Sequence, residues 1–201
     1  SFRRPVDCSD LPSGSLNESE AKELFRRFGL TSPVSTIAAS PEEAGELARK
    51  FSGSLAIKIL SADIIHKSDI GGVALDVAPQ NAAETCAVMA GRVREADAGR
   101  IEGFLIEEMI SGGVELILGF RRDPQLGACI LLGAGGVMTE IYRDVALRLP
   151  PISREDARAM IDALACSALL TGFRGRPEGD IEALVDAVVA FAGMVETLGD
   201  R

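Results

Sequence analysis

The stretch FLIEEMISGGVELILGF, residues 104–120, divides the chain into two kinds of sequence. It holds two strand-like apolar runs on either side of Ser111-Gly112-Gly113, a break too short for a helix and rich in turn formers. Further runs follow, ACILLG at 128–133 and VALRL at 145–149, parted by RRDPQ and by the glycine turn GAGG. Breaks this short predict antiparallel pairing, so FLIEEM, VELILGF, ACILLG and VALRL are expected to build a second sheet.

Upstream the pattern is mixed. In LNESEAKELFRRFG, residues 16–29, Asn17 with Glu20 makes a capping box, Leu24, Phe25 and Phe28 form an apolar stripe, and Gly29 stops the helix. SPEEAGELARKF, residues 40–51, repeats the logic with Ser40 as N-cap, Pro41 at the first position and Glu43 as reciprocal cap. Strands are expected at Val34 to Ala38, Leu55 to Leu60 and Gly72 to Val77, and Asn81 with Glu84 opens a helix toward Ala98. Two more helices follow the glycine-rich half, one from Ser153 with Asp156 and one over Ile181 to Leu198. The fold class is therefore α/β (α+β), with two α/β lobes and a cleft between sheets. Residues 1–15 read as a linker or tail, 16–100 as the first lobe and 101–201 as the second.

Composition narrows the function. The 201 residues are 47% hydrophobic and 25% charged, which supplies a core and excludes a disordered chain. A net charge of −9 argues against nucleic acid as partner, because such a protein must replace counterions along a phosphate backbone. The four cysteines lie far apart and there is one histidine, so neither a structural zinc site nor a disulfide framework is expected. No segment has the length and purity of a membrane span or the form of a signal peptide, and a cytoplasmic setting is expected.

Four places carry chemistry. In LAIKIL, residues 55–60, alternation puts Lys58 on one face with Ala56 and Leu60, as the only charge of an apolar strand. It reads either as a lysine on a solvated sheet face or as a point charge for nucleotide phosphates. Next, SADIIHKSDIGGV, residues 61–73, places His66 before Gly71 and Gly72. An imidazole nitrogen can act as a nucleophile and glycine backbones can approach a phosphate, although a lone histidine is also common as a structural residue. Third, Glu107, Glu108 and Met109 end one strand and Glu115 lies early in the next. These are either solvated hairpin carboxylates or a hinge whose backbone binds adenine while Glu115 accepts from ribose hydroxyls. Finally, Glu140 and Asp144 follow the GAGG turn, with Arg148 four residues on. Two carboxylates suit magnesium beside a phosphate and an arginine suits the transferring group; surface ion pairing is the alternative.

The segments KILSADIIHKSDIGGV, LIEEMISGGVELILGFRRDPQLG, LLGAGGVMTEIYRDVALRLPPI and ALLTGFRGRPEGDI, in this order, resemble the β subunit or β region of NDP-forming acyl-CoA synthetases, over about Leu16 to Leu198. The resemblance implies an ATP-grasp fold and the reaction acyl-CoA + NDP + phosphate ⇌ carboxylic acid + CoA + NTP, with ATP or ADP and Mg2+ as cofactors. It implies a partner, a CoA-binding α domain or subunit carrying its own phosphohistidine. By the same resemblance Lys58 is similar to the phosphate-binding lysine, Glu107 to Met109 to the adenine hinge, Glu115 to the ribose contact, and Glu140 with Asp144 to the magnesium ligands. His66 is similar to a relay histidine, with Gly71 and Gly72 in the same motif, and Arg148 to an arginine of the catalytic run. Ser54 stands where relatives often have proline, and the CoA-binding part is expected to lie elsewhere, leaving this chain incomplete for the full reaction. The alternative is a regulatory or degenerate ATP-grasp region of a protein acyltransferase.

Overall fold

The computed structural model describes residues 6–8, 10, 16–61, 63–64, 67–136, 144–172, 175 and 177–199. Two compact units divide them. One comprises Ser15–Glu23 and Ser32–Ser111, the other Ser1–Gly14, Leu24–Thr31 and Gly112–Arg201. The helix α1 (Glu18–Arg27) is thus shared, its first residues belonging to one unit and its last to the other.

The first unit is built on a four-stranded sheet in the order β1-β4-β2-β3, from β1 (Ser35–Ala38), β2 (Leu55–Leu60), β3 (Val73–Val77) and β4 (Gly103–Glu108), with every pair antiparallel. Leu55, Ile57 and Ile59 share a core with Phe104, Ile106 and, from α2 (Pro41–Ala48) and α3 (Ala82–Glu95), Ala44, Ala48, Cys86, Met89 and Val93. Burying each large aliphatic side chain there contributes roughly 1.5–3 kcal/mol relative to exposure. Small residues let the helices approach closely: a Cβ on Gly45 would lie 3.0 Å from that of Ala83.

FLIEEM therefore joins this sheet and not the second one. It is the strand between β1 and β2, and Gly103 to Glu107 are all buried, so the run is apolar because both of its faces are covered. The first unit consequently extends to Ser111, past the boundary expected at residue 100, and Ser111 to Gly113 is a crossing between units instead of a hairpin. Gly112 (φ +78°) and Gly113 (φ +82°) take left-handed conformations there that side chains resist. At the edge, two residues of β3, Leu75 and Asp76, oppose the single Ala56, a bulge at which Asp76 has φ +53°.

The second unit carries β5 (Leu116–Asp123), β6 (Gly127–Ala134) and β7 (Val145–Arg148) in sequential antiparallel order. One face buries Ile130, Leu132, Ala134 and Ala146 under α4 (Arg154–Asp162) and α6 (Ile181–Leu198), while α5 (Ser167–Leu170) is a short turn between them. Phe25 from the end of α1 meets Phe191 of α6 with ring centroids 6.4 Å apart.

The helix starts follow their caps with two differences. Asn17 with Glu20 and Ser153 with Asp156 form reciprocal boxes. Ser40 accepts from the Glu43 N–H, but the Glu43 carboxylate reaches back to the N–H of Ala39 instead of that of Ser40. Asn81 makes no side-chain cap, because the 3-10 turn Pro79–Asn81 already gives it helical dihedrals. Among the described residues no helix is long and apolar enough to cross a membrane.

Gly103 sits where β4 leaves β1, and a Cβ there would lie 2.9 Å from the Ala38 carbonyl oxygen. Since that neighbour is backbone, G103A is expected to lower stability by about 1–3 kcal/mol, read from chemical denaturation with an unchanged m-value.

Candidate functional site

Antiparallel register places Ala56 opposite Glu107 and Lys58 opposite Leu105, so Lys58 and Glu107 rise diagonally from one face of the first sheet. Helix α1 covers that face with Glu18 and Lys22, four residues apart on one side of the helix. The four side chains close a ring. The Lys58 Nζ lies 2.5 Å from Glu18 Oε1 and 2.9 Å from Glu107 Oε2. Lys22 donates to Glu107 Oε1 and lies 3.1 Å from Glu18 Oε1. Two positive and two negative charges thus neutralise one another.

The ring is wet on one side and dry on the other. Side-chain exposure is 4% for Glu107 and 13% for Lys22, against 26% for Lys58 and 28% for Glu18. Partial burial disfavours the charge on Lys58, but the hydrogen bonds and fields of Glu107 and Glu18 outweigh it and lift the ammonium above its ordinary pKa. Burial likewise opposes ionisation of Glu18, and Lys58 and Lys22 overcome it, holding the carboxyl below the ordinary glutamate range. Lys58 is therefore neither a solvated sheet lysine nor a free point charge. Glu18 and Lys22 were not singled out from the sequence, where they look like an ordinary helical surface pair.

The neighbouring hinge is backbone-paired up to Met109. The N–H of Glu108 donates to the Val34 carbonyl at 2.9 Å and that of Met109 to the Ser54 carbonyl at 2.8 Å, while the Glu108 carboxylate accepts from the Val34 N–H. Glu107 and Glu108 are thus not solvated hairpin carboxylates. In the glycine motif, a 3-10 turn over Lys67–Ile70 is closed by the N–H of Gly71 to Ser68 and by that of Gly72 to Lys67. Both N–H groups considered for phosphate serve the turn in this structure. Gly71 has φ +68°, and a Cβ there would lie 2.8 Å from the Arg92 guanidinium. His66 lies outside the described residues.

In the second unit the backbone carbonyl of Glu115 accepts from the Gly135 N–H at 2.8 Å. A Cβ is excluded at Gly135 by the Glu115 backbone 2.9 Å away, and at Gly136, where φ is +60°, it would displace the Glu115 carboxylate. The exposed Glu115 side chain therefore lies over the glycine turn. Asp144 accepts the N–H of Ala165 on one oxygen and that of Cys166 on the other, each at 2.8 Å. Its slight desolvation is outweighed by these donors, which hold the carboxyl below its ordinary range. Burial and the facing Asp144 push the Cys166 thiol up to about 11. Arg148 donates to the carbonyl of Leu147, and Glu140 lies outside the described residues.

One feature of this unit was missed from the sequence. Ile117, Gly133 and Val145 stand in register across the three strands, followed by Gly119, Leu131 and Leu147. Ile117, Val145 and Leu147 are 38%, 46% and 51% exposed, so the face turned away from the helices is an apolar, glycine-flattened surface.

A family model described as "ATP-grasp domain" matches residues 9–200. The β subunit of acetate–CoA ligase [ADP-forming] I from Pyrococcus furiosus is 36% identical over 189 residues, covering 93% of this chain and 82% of that subunit. Acetate–CoA ligase [ADP-forming] I from Archaeoglobus fulgidus is 35% identical over 88% of this chain, which spans only 26% of that longer protein. Among solved structures, the dinucleotide-forming acetyl-coenzyme A synthetase 1 of Ca. Korarchaeum cryptofilum, in complex with coenzyme A and Ca-AMPCP, superposes with a TM-score of 0.83 at 38% identity, covering 90% of this chain and 79% of that one. The chain therefore belongs to the ATP-grasp domain family, within the group formed by the β subunits and β regions of ADP-forming acyl-CoA synthetases.

Proposed function

We propose that the chain is the nucleotide-binding module of an NDP-forming acyl-CoA synthetase, holding ATP or ADP with magnesium and exchanging a phosphoryl group with a histidine. The observation that carries this reading is Lys58, a cation kept charged by two carboxylates yet with a quarter of its side chain open to water. Such a group offers a charge-assisted donor to a polyphosphate without the cost of baring a buried ammonium.

Each candidate residue takes one task. Glu107 holds Lys58 in place, and the strand end at Glu108 and Met109 borders the base, whose hydrogen bonds fall to backbone beyond the N–H groups already used by Val34 and Ser54. Glu115, exposed over the glycine turn, accepts from the ribose hydroxyls. The flattened apolar face of Ile117, Val145 and Leu147 suits a planar base. Magnesium prefers one or two carboxylates, with phosphates and water completing its shell. Asp144 fits that demand in part, since each oxygen accepts one N–H and retains a lone pair, and Glu140 is the second candidate. When bound, the ion neutralises phosphate charge.

His66 is the proposed phosphoryl acceptor. Its imidazole nitrogen forms the N–P bond as the P–O bond to the leaving oxygen breaks, and the reverse step passes the group to ADP. Lys67 and Arg148 are the cations proposed to steady the charge on the transferred group, while the N–H groups of Gly71 and Gly72 hold the turn that carries Lys67. A second structure of the Korarchaeum relative, in complex with coenzyme A and Mg-AMPPCP, has its phosphohistidine segment pointing towards the nucleotide binding site, which supports the assignment of a partner α part that delivers the group.

Lys58→Ala is expected to weaken ADP and ATP binding by about 1.5–3 kcal/mol while AMP binding changes little, as calorimetry reads directly. An equal loss for AMP removes Lys58 from the polyphosphate site. Asp144→Asn is expected to abolish the gain in affinity that magnesium gives and to lower stability by about 1 kcal/mol, a figure reduced for its exposure. Because the native carboxyl titrates below its unfolded value, this stabilisation is present above about pH 4 and disappears as pH falls through the native pKa. The wild type and D144N should therefore converge in acid melts. His66→Ala, in the complete enzyme, should keep nucleotide binding and lose acyl-CoA formation by orders of magnitude, with acid-labile phosphate missing from the peptide that carries residue 66 while the phosphohistidine of the α part remains.

A further inference from the structure

The ring around Lys58 is symmetric in charge and asymmetric in access. Glu107 is fixed at its dry side: the side chain is 4% exposed, its backbone is paired to Ser35 on one side and Ala56 on the other, and its two oxygens receive one lysine each. Taking both cations from a carboxylate so placed would leave a buried charge without a partner. Lys22 prevents this, since it stays on Glu107 whatever Lys58 does. Glu18 stands at the wet side, as the first residue of α1, with Lys22 as a second partner 3.1 Å away. It can leave Lys58 for water and lose little.

We propose that Glu18 is an internal substitute for phosphate, occupying Lys58 in the empty protein and yielding that position to the nucleotide's polyphosphate. This deepens the proposed function and rests on its assignment of Lys58. The carboxylate oxygen 2.5 Å from Nζ takes the place that a phosphate oxygen would take. Exchange keeps every remaining charge partnered: Lys58 passes to the phosphate, Glu107 retains Lys22, and Glu18 shares Lys22 at the helix end. The groups facing Glu18 are Lys58 from β2, Glu107 from β4 and Lys22 from its own helix. Once Lys58 is taken, Glu18 has lost one cation and gained an anionic neighbour. Its affinity for a proton rises, so binding of a polyphosphate takes up part of a proton in mildly acidic solution. Glu18 thus makes binding selective, because only a ligand able to replace a carboxylate on Lys58 displaces it.

The test is calorimetry of the chain with ADP, ATP and AMP, in magnesium, for the wild type, Glu18→Gln, Glu18→Asp and Lys58→Ala. Removing a competing, partly exposed ion pair should tighten ADP and ATP binding about two- to fivefold in E18Q and leave AMP nearly unchanged. Measured near about pH 5 in buffers of different ionisation enthalpy, the wild type should take up protons on binding ADP and E18Q should take up fewer. E18D, which keeps the charge but shortens the reach to Lys58, should also bind ADP more tightly and covers the case in which E18Q melts early. Unchanged or weaker ADP binding in a folded Glu18 variant overturns the proposal. So does tighter binding with undiminished proton uptake, which would show a charge acting from a distance. If K58A fails to separate ADP from AMP, the assignment of Lys58 itself fails. If K58A separates them and the Glu18 variants gain nothing, only the substitute is wrong.

Discussion

The first unit depends on giving a buried carboxylate of its sheet two cationic partners. Glu107 is the last buried residue of a strand whose preceding residues are buried on both faces. A lone carboxylate at such a position would protonate or destabilise the sheet. Two lysines remove that cost, and they come from places that sequence separation hides: the neighbouring strand and the covering helix. Much of the local architecture follows. The strand order β1-β4-β2 brings Lys58 beside Glu107, and α1 must lie with Glu18 and Lys22 turned to the sheet.

The second unit uses a different device, close approach without side chains. Gly133 admits the Val145 side chain and the Asp144 carbonyl, Gly135 admits the Glu115 backbone, and Gly136 admits its carboxylate. A methyl group at Gly133 or Gly135 would collide with backbone, and at Gly136 it would displace the Glu115 carboxylate and strain a left-handed φ of +60°. The glycine turn that parts two strands therefore also serves to seat Glu115. Asp144, proposed above as a magnesium ligand, likewise has a structural task, since its oxygens hold the backbone at Ala165 and Cys166. A substitution at either place changes structure and ligand contacts together, which is why tests at these positions need a stability readout beside a binding one.

Local signals were legible in the sequence wherever the cause was local. The capping boxes at Asn17 and Ser153, the boundaries of β2 and the span of the last helix all follow from short-range pattern. The fate of FLIEEM was not legible, because a buried central strand and a strand of a separate meander show the same apolar run, and only the pairing partners tell them apart. The candidate residues divide in the same way. Lys58 stood out as a lone charge in an apolar strand, and Glu107 as an acidic residue where alternation gives no reason for one. That the two meet, and that Glu18 and Lys22 complete their ring, depends on register and on helix placement, neither of which is encoded in a spacing. The apolar face of the second sheet was missed for a related reason, since Ile117, Val145 and Leu147 become a surface only when the three strands align.

An overall charge of −9 is a poor setting for a polyphosphate, and on the role proposed for Lys58 the ring resolves the conflict locally. A free lysine in this field would attract any anion or lose part of its effect to screening. A lysine already paired to two carboxylates is fixed in position and stays protonated, so a ligand meets a pre-oriented donor and pays little to order it. The same pairing sets a threshold, because the ligand must replace a carboxylate contact before it gains its own. A monoanion offers Lys58 little more than Glu18 already does, whereas a polyphosphate with its metal offers several oxygens at once. On the proposed exchange, selectivity for the longer phosphate chain would arise from the contact that must be broken as much as from the one that is made.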